Sequence, residues 1–88
     1  METPWKVIGF EKWKSERGDE CVRLYLARRV HLPAGTVGEG HETQRLFYKP
    51  QYVNYNPVVG HMIVPVTGYG DRITNIIVVG GIDTNQGA

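Results

Sequence analysis

Residues 20–32 have the sequence ECVRLYLARRVHL, and the alternation within this stretch decides the fold class. Apolar side chains take every second position: Val22, Leu24, Leu26, Val30 and Leu32. Basic and aromatic side chains fill positions between them: Arg23, Tyr25, Arg29 and His31. Because successive side chains of a β-strand point to opposite faces, this pattern predicts a strand with one buried face. Arg28 interrupts the apolar series, which indicates either a bulge or the end of the apolar coverage.

Four further runs of β-branched and aromatic residues, separated by Gly, Pro, Asn and Asp, predict four more strands. We place them at residues 5–14, 42–49, 61–67 and 72–79. The first carries apolar side chains on both faces, and Gly9 permits a bend within it. The last is almost wholly apolar, which predicts burial on both of its sides. The segment 51–60 is expected to be a structured loop or a single helical turn.

Five short strands with a longer connection between the third and the fourth predict an all-β fold. We expect a small antiparallel five-stranded OB-like barrel over residues 1–80. An SH3-like barrel is the main alternative for a chain of 88 residues, which is long enough for one domain with a small core. Residues 81–88 are expected to form a flexible C-terminal tail.

Composition and charge argue against several classes of protein. The single cysteine, Cys21, cannot form an internal disulfide, which fits a reducing compartment. No apolar run approaches the roughly 20 residues that a membrane span needs, and we expect no signal peptide. We therefore expect a cytoplasmic protein, in the host cytoplasm if it is viral, without a membrane partner.

Few side chains are spaced for catalysis or for metal binding. Cys21 and one of the three histidines could form a nucleophile and a base, but nothing in their spacing requires this. The histidines follow no metal-ligand spacing, and the glycines of residues 33–41 match no phosphate-binding motif. We expect no enzyme activity, no metal, no cofactor and no small-molecule substrate.

Basic and aromatic residues alternate on the second and third predicted strands. They are Arg23, Tyr25, Arg29, Arg45, Phe47 and Lys49. If the two strands pair, these residues share one face. Such a face suits single-stranded nucleic acid, because cations hold phosphates while each base stacked on a ring contributes roughly 1–3 kcal/mol. The alternative is that the rings are ordinary cross-strand packing and the cations only confer solubility.

A second group of motifs lies between residues 53 and 79. In chain order, it consists of Tyr55-Asn56-Pro57, Gly60, the alternating strand 61–67, the tip Gly68-Tyr69-Gly70 and the apolar last strand. In these motifs and in its length, the chain resembles the small helix-destabilising single-stranded DNA-binding proteins of filamentous phages. Residues 22–32 look similar more loosely, whereas the first strand and residues 33–41 do not match.

The resemblance implies a symmetric homodimer in which the hairpin of the last two strands helps to form the interface. It implies that Tyr69 lies close to single-stranded DNA, with RNA left open as a ligand. It also implies that the protein coats strands with little sequence preference during replication of a phage or mobile element. The full set of predicted contacts is Arg23, Tyr25, Arg29, Arg45, Phe47, Lys49 and Tyr69. The three aromatic residues would stack on bases, and the four cations would contact phosphates.

The main alternative function is a protein-interaction module of a phage or mobile element, such as an inhibitor of a host nuclease. It would use the same face against a protein partner. The formal net charge of only +1 favours no polyanion by itself, since seven acidic residues share the first half of the chain with the cations. Binding therefore depends on whether folding separates the two signs.

Overall fold

The strands of the protein form one antiparallel sheet in the computed structural model, which describes residues 3–80. They are β1 (Trp5–Lys14), β2 (Glu20–Val30), β3 (Gly40–Tyr48), β4 (Met62–Thr67) and β5 (Ile73–Gly80). Their order across the sheet is β3-β2-β1-β4-β5. The prediction of an all-β antiparallel fold with five strands is confirmed. The tail expected at residues 81–88 lies outside the described residues.

Residues 3–80 contain no helix, and so no helix that could cross a membrane. The segment 51–60 contains turns and irregular backbone. Of the two predicted structures, it is therefore the loop and not the single helical turn. Its Tyr55 is partly buried against the core, and the Tyr55 hydroxyl lies 2.8 Å from Nδ1 of His61.

The two edge strands of the sheet touch without closing it. Phe47 of β3 forms an isolated parallel bridge with Arg72, which directly precedes β5. The backbone N–H of Phe47 donates a hydrogen bond of 2.9 Å to the carbonyl oxygen of Asp71. Along the rest of β3 and β5, both fully within the described range, no ladder joins the two edges. The predicted barrel is therefore an open sheet that is barrel-like at this one contact.

The core lies on one face of the sheet, as the alternation in the second strand predicts. Its buried members are Trp5, Val7, Val22, Leu24, Leu26, Leu46, Tyr48, Val53, Ile63 and Ile73. Fully burying one side chain of the size of leucine stabilises a fold by roughly 1.5–3 kcal/mol. Because the core is this small, most of the other apolar residues lie at its margin or outside it.

Strand β1 changes its buried face at a bulge. Val7 pairs with Leu26 of β2 and Gly9 pairs with Tyr25, so Ile8 is an extra residue in β1. This bulge lies directly before Gly9, the residue at which the sequence permits a bend. Because the bulge shifts the alternation by one residue, the part of β1 after Gly9 presents a different set of side chains to each face.

The apolar face of β2 ends earlier than predicted. β1 pairs with β2 only as far as Ala27, and beyond it β2 and β3 continue as a two-stranded ribbon. Leu32 lies past the end of β2 and is 37% exposed, so its predicted burial is wrong. The pairing of β2 with β3 has no bulge at Arg28, whose guanidinium lies 4.1 Å from the centre of the Trp5 ring. Arg28 therefore marks the end of the apolar coverage.

The prediction that the last strand is buried on both sides is wrong. Of the β5 residues, all of which are described, Ile73 alone is buried. Ile77, Val78 and Val79 are 51%, 50% and 55% exposed. β5 is an edge strand of which only Ile73 and the partly buried Ile76 reach the core, so its other apolar side chains have no packing partner among the described residues. An apolar run usually indicates burial. In β5 the run instead forms an exposed apolar surface that no other part of the described chain covers.

The hydroxyl of Tyr48 ties the core to the connection between β3 and β4. The ring is fully buried, and the hydroxyl donates a hydrogen bond of 2.6 Å to the carbonyl oxygen of Tyr55. Burial raises the pKa of Tyr48 well above its ordinary value, because the charged form would lose its hydration. The connection therefore depends on a neutral Tyr48.

Replacing Tyr48 with phenylalanine is expected to lower the free energy of unfolding by about 1–3 kcal/mol, because a partly buried carbonyl group loses its donor. Urea denaturation monitored by circular dichroism measures this change. Tyr52→Phe is the matched control, since the Tyr52 side chain is 66% exposed and makes no hydrogen bond to the described residues. Equal losses of stability in the two variants would contradict the expected role of the Tyr48 hydroxyl.

Candidate functional site

The pairing of β2 with β3 brings four predicted contact residues together. Arg23 lies directly opposite Phe47, and Tyr25 lies directly opposite Arg45. Opposite residues of an antiparallel pair point to the same side, with their Cβ atoms about 4.5–5.5 Å apart. Each ring therefore has a cation beside it on the neighbouring strand and another on its own strand. We call Arg23, Tyr25, Arg45 and Phe47 the basic–aromatic face.

Strand β1 adds Glu11 and Trp13 next to this face, and the sequence did not predict either of them as a functional residue. Glu11 pairs with Arg23 across the β1–β2 ladder. Trp13 is 37% exposed, and the Arg23 guanidinium lies 4.8 Å from the centre of its ring. Arg23 thus stacks on one aromatic ring while it lies between Glu11 and Phe47.

A single carboxylate oxygen organises the hydrogen bonds of the face. Nη1 of Arg23 donates to Oε1 of Glu11 at 2.7 Å, and the Tyr25 hydroxyl donates to the same oxygen at 2.8 Å. These two bonds, that of Tyr25 first, lower the pKa of Glu11 below its ordinary value. The bond to Glu11 raises the pKa of Arg23. Both groups are therefore charged at neutral pH.

Arg45 is the least neutralised cation of the face. It is exposed, and none of the ion pairs found within residues 3–80 includes it. Around it lie one further cation, Arg23, and two carboxylates, those of Glu11 and Asp71, so the charges of this part of the surface balance. Attraction of an anion therefore depends on direct contact with Arg45 more than on a long-range field.

Two of the four predicted cations lie outside the basic–aromatic face. Arg29 is on the β2–β3 ribbon, four residues beyond Tyr25, and forms an exposed ion pair of 3.1 Å with Glu39. Lys49 follows the end of β3 and forms an ion pair of 3.4 Å with Asp19 of the β1–β2 turn. Its side chain is only 27% exposed, so Lys49 connects two chain segments rather than presenting a cation to solvent.

The hairpin tip places Tyr69 at the margin of the same surface. Tyr69 is 95% exposed, and its carbonyl oxygen accepts a hydrogen bond of 3.1 Å from the N–H of Arg72, which closes the turn. The next two residues of the tip, Gly70 and Asp71, line a shallow depression together with Arg23 and Arg45. The hydrogen bond from Phe47 to Asp71 holds the tip at this position.

The groups considered for metal or thiol chemistry are spread over the fold. No three His, Cys, Asp or Glu side chains within residues 3–80 are arranged to hold a metal ion. Cys21 is buried at the start of β2, where its Sγ lies 3.7 Å from the carbonyl oxygen of Asp19.

Comparison with known proteins adds no assignment to the basic–aromatic face. Family models, curated proteins and solved structures give no match to the chain. Any function assigned to the chain consequently depends on the geometry of its own side chains.

Proposed function

We propose that the protein binds single-stranded DNA without catalysis and coats it with little sequence preference during the replication of a phage or mobile element. The observation that carries the proposal is the pairing of Arg23 with Phe47 and of Tyr25 with Arg45 on one face of the sheet, where Arg45 is exposed and the other three side chains are partly buried. An aromatic ring alternates with a guanidinium both along each strand and across the pair of strands. A base stacked on either ring has a guanidinium within reach of its phosphate. Stacking does not discriminate between bases, because every base has a π-face.

The position of the face within the sheet also supports the proposal. In OB-folds, oligonucleotides bind across strands two and three and against the loop that joins strands four and five. The basic–aromatic face lies on β2 and β3, and Tyr69 lies in the β4–β5 loop. Arg23 and Arg45 of the face line one shallow depression with Gly70 and Asp71, the residues that follow Tyr69 in the loop, and we propose that one extended strand contacts both features.

Salt dependence tests the proposal most directly. We expect the affinity for a labelled single-stranded oligonucleotide to fall as salt rises, with a log–log slope of about −1.4 to −2.1 for two or three phosphate contacts. Fluorescence anisotropy over a range of salt concentrations measures the slope. Mixed-sequence and homopolymer strands should bind about equally well. An RNA strand of the same sequence tests whether the protein prefers DNA or RNA.

Duplex DNA of the same sequence is the control for the salt titration. It should bind more weakly, because its bases are stacked on each other and cannot stack on Phe47 and Tyr25. Absence of single-strand binding at low salt would contradict the proposal. That result would favour the alternative in which the same face binds a protein, such as a host nuclease.

We further propose that the protein is a homodimer formed through the β4–β5 hairpin. The exposed apolar side chains of this hairpin, which we call the hairpin patch, are Val66, Ile77, Val78 and Val79. The β5 sequence, ITNIIVVG, contains no charged residue. Exposed strand edges are normally protected by Lys, Pro or short length, because their free N–H and C=O groups pair with other strands. The edge of β5 has no such protection along its 8 residues.

A second copy of the chain is the occupant that best fits the hairpin patch. A two-fold axis places side chains near their own copies, so any charge close to the axis would repel its equivalent. The uncharged β5 avoids this repulsion. Two β5 edges paired antiparallel would satisfy the free backbone groups and place the apolar side chains of one β5 beside those of the other, Ile77 and Val79 on one face and Val78 on the opposite face.

A further inference from the structure

One oxygen atom of Glu11 already occupies the place on the basic–aromatic face where a phosphate oxygen would be expected. Arg23 and Tyr25 both donate to it, at 2.7 and 2.8 Å. These are two of the residues that the proposed function assigns to the nucleic acid. The ion pair is open to solvent, with 39% of the Arg23 side chain and 46% of the Glu11 side chain exposed. A ligand can therefore reach the pair without any rearrangement of the core.

Carboxylates and phosphates compete for the same donors. A guanidinium binds either group through charge-assisted hydrogen bonds, often in the same two-pronged geometry. Glu11 takes one of the five N–H donors of Arg23 and adds a negative charge beside the others, so a phosphate on Arg23 gains that donor and loses that repulsion when Glu11 is displaced. Exposed ion pairs are weak in water, so a polyanion can displace Glu11.

The same arrangement recurs farther along β2. Arg29 forms an ion pair with Glu39, in which the two side chains are 75% and 72% exposed. Arg28 likewise forms an ion pair with Glu42. Arg45 is in none of the ion pairs of residues 3–80, so a phosphate could reach it without displacing a carboxylate. Folding therefore places carboxylates against most of the cations on β2 instead of separating the two signs.

We propose that Glu11 is an internal competitor of phosphate, which holds Arg23 and Tyr25 in the free protein and is displaced when a single strand binds. This inference depends on the proposed function, and it names the regulation of the same site. Glu11 lowers the affinity and keeps the two donors satisfied while the face is empty. A bound strand can accordingly be released without leaving Arg23 unpaired.

Glu11→Gln tests the inference, with Glu16→Gln as the matched control. The first variant removes the charge of Glu11 but keeps an oxygen that can accept from Arg23 and Tyr25. The second makes the same change in net charge at an exposed position of the β1–β2 turn. We expect Glu11→Gln to raise the affinity for a single-stranded oligonucleotide roughly two- to fivefold at low salt. The negative salt slope should steepen by up to about 0.7, equivalent to one more phosphate contact.

The control variant should change the affinity much less than Glu11→Gln. Equal affinities of the two variants would overturn the inference alone, because the effect would then be one of net charge. Weaker binding by Glu11→Gln would also overturn it, since Glu11 would then hold the donors in a productive position. If neither variant nor the natural protein binds at low salt, the proposed function fails and the inference fails with it.

A double-mutant cycle with Arg23→Gln separates competition from a general charge effect. In the Arg23→Gln background, Glu11→Gln should give a smaller gain in affinity, because the cation that Glu11 occupies is gone. An undiminished gain would overturn the inference. Urea denaturation checks that every variant is folded to the same extent at the assay temperature.

Discussion

Replacing Ile77 with lysine is expected to convert the proposed dimer into a monomer. Ile77 is 51% exposed, lies opposite Val64 in the β4–β5 ladder and belongs to the hairpin patch. The substitution would place a charge from each copy at the same interface, where like charges and lost hydration cost about 2–5 kcal/mol. We therefore expect the dissociation constant to rise about thirtyfold or more.

Sedimentation equilibrium at several protein concentrations measures this change. Val37→Lys is the control, since Val37 is 98% exposed in the loop between β2 and β3 and lies outside the hairpin patch. That variant should keep the oligomeric state of the natural chain. A natural chain that is monomeric at every concentration would contradict the homodimer and leave the patch to a different protein partner.

Loss of both rings from the basic–aromatic face should nearly abolish binding of single strands. Each base stacked on an aromatic side chain contributes roughly 1–3 kcal/mol. The variant carrying Tyr25→Ala and Phe47→Ala is therefore expected to bind at least about thirtyfold more weakly than the natural protein. The two single variants should each lose a smaller share, and their effects need not add, because the residues are close neighbours on one face.

Phe10→Ala is the matched control for this loss. Phe10 is also a partly exposed aromatic residue, but it pairs with the buried Leu24 and so belongs to the other face of the sheet. Its removal should leave the affinity almost unchanged. If the double variant stays folded and binds as tightly as the natural protein, the assignment of the face is wrong.

Intrinsic fluorescence can report on binding at this face without a label. Trp13 is partly exposed beside Arg23, whereas Trp5 is only 8% exposed and packs in the core. A strand that binds near Arg23 should therefore quench mainly the emission of Trp13. Trp13→Phe removes that signal and identifies its source.

Local alternation explains why much of the sheet was predictable. The two-residue period of a strand determines which residues of β2 share a face, and likewise for β3. The grouping of Arg23 with Tyr25, and of Arg45 with Phe47, therefore needed no tertiary information. The register that sets these two groups side by side is confirmed by the structure. The bounds of β1 agree with the predicted strand, and those of the other strands differ by one or two residues.

The exposure of β5 could not be predicted, because it depends on the order of strands in the sheet. An apolar strand in the middle of a sheet and an apolar strand at an uncovered edge have the same local pattern. The choice between them is made by the pairing of distant segments. Here β4 lies between β1 and β5, which leaves one side of β5 open.

The candidate site was predictable on β2 and β3 but not on β1. Gly9 indicated a bend, yet the sequence did not show which residues would follow it on each face. The bulge at Ile8 brings Glu11 opposite Arg23 and so produces the ion pair that changes the charge of the site. Lys49 seemed a free cation because Asp19, its partner, is 30 positions away in the chain.

The contact between Phe47 and the hairpin joins the two surfaces to which the proposed interactions are assigned. The hairpin is joined to the other strands by two residue pairs with β1 and by this bridge next to its tip. Phe47 thus belongs both to the basic–aromatic face and to the attachment of the segment that bears the hairpin patch. If a bound strand strengthens the dimer by some factor through this attachment, dimerisation must strengthen the binding of the strand by the same factor.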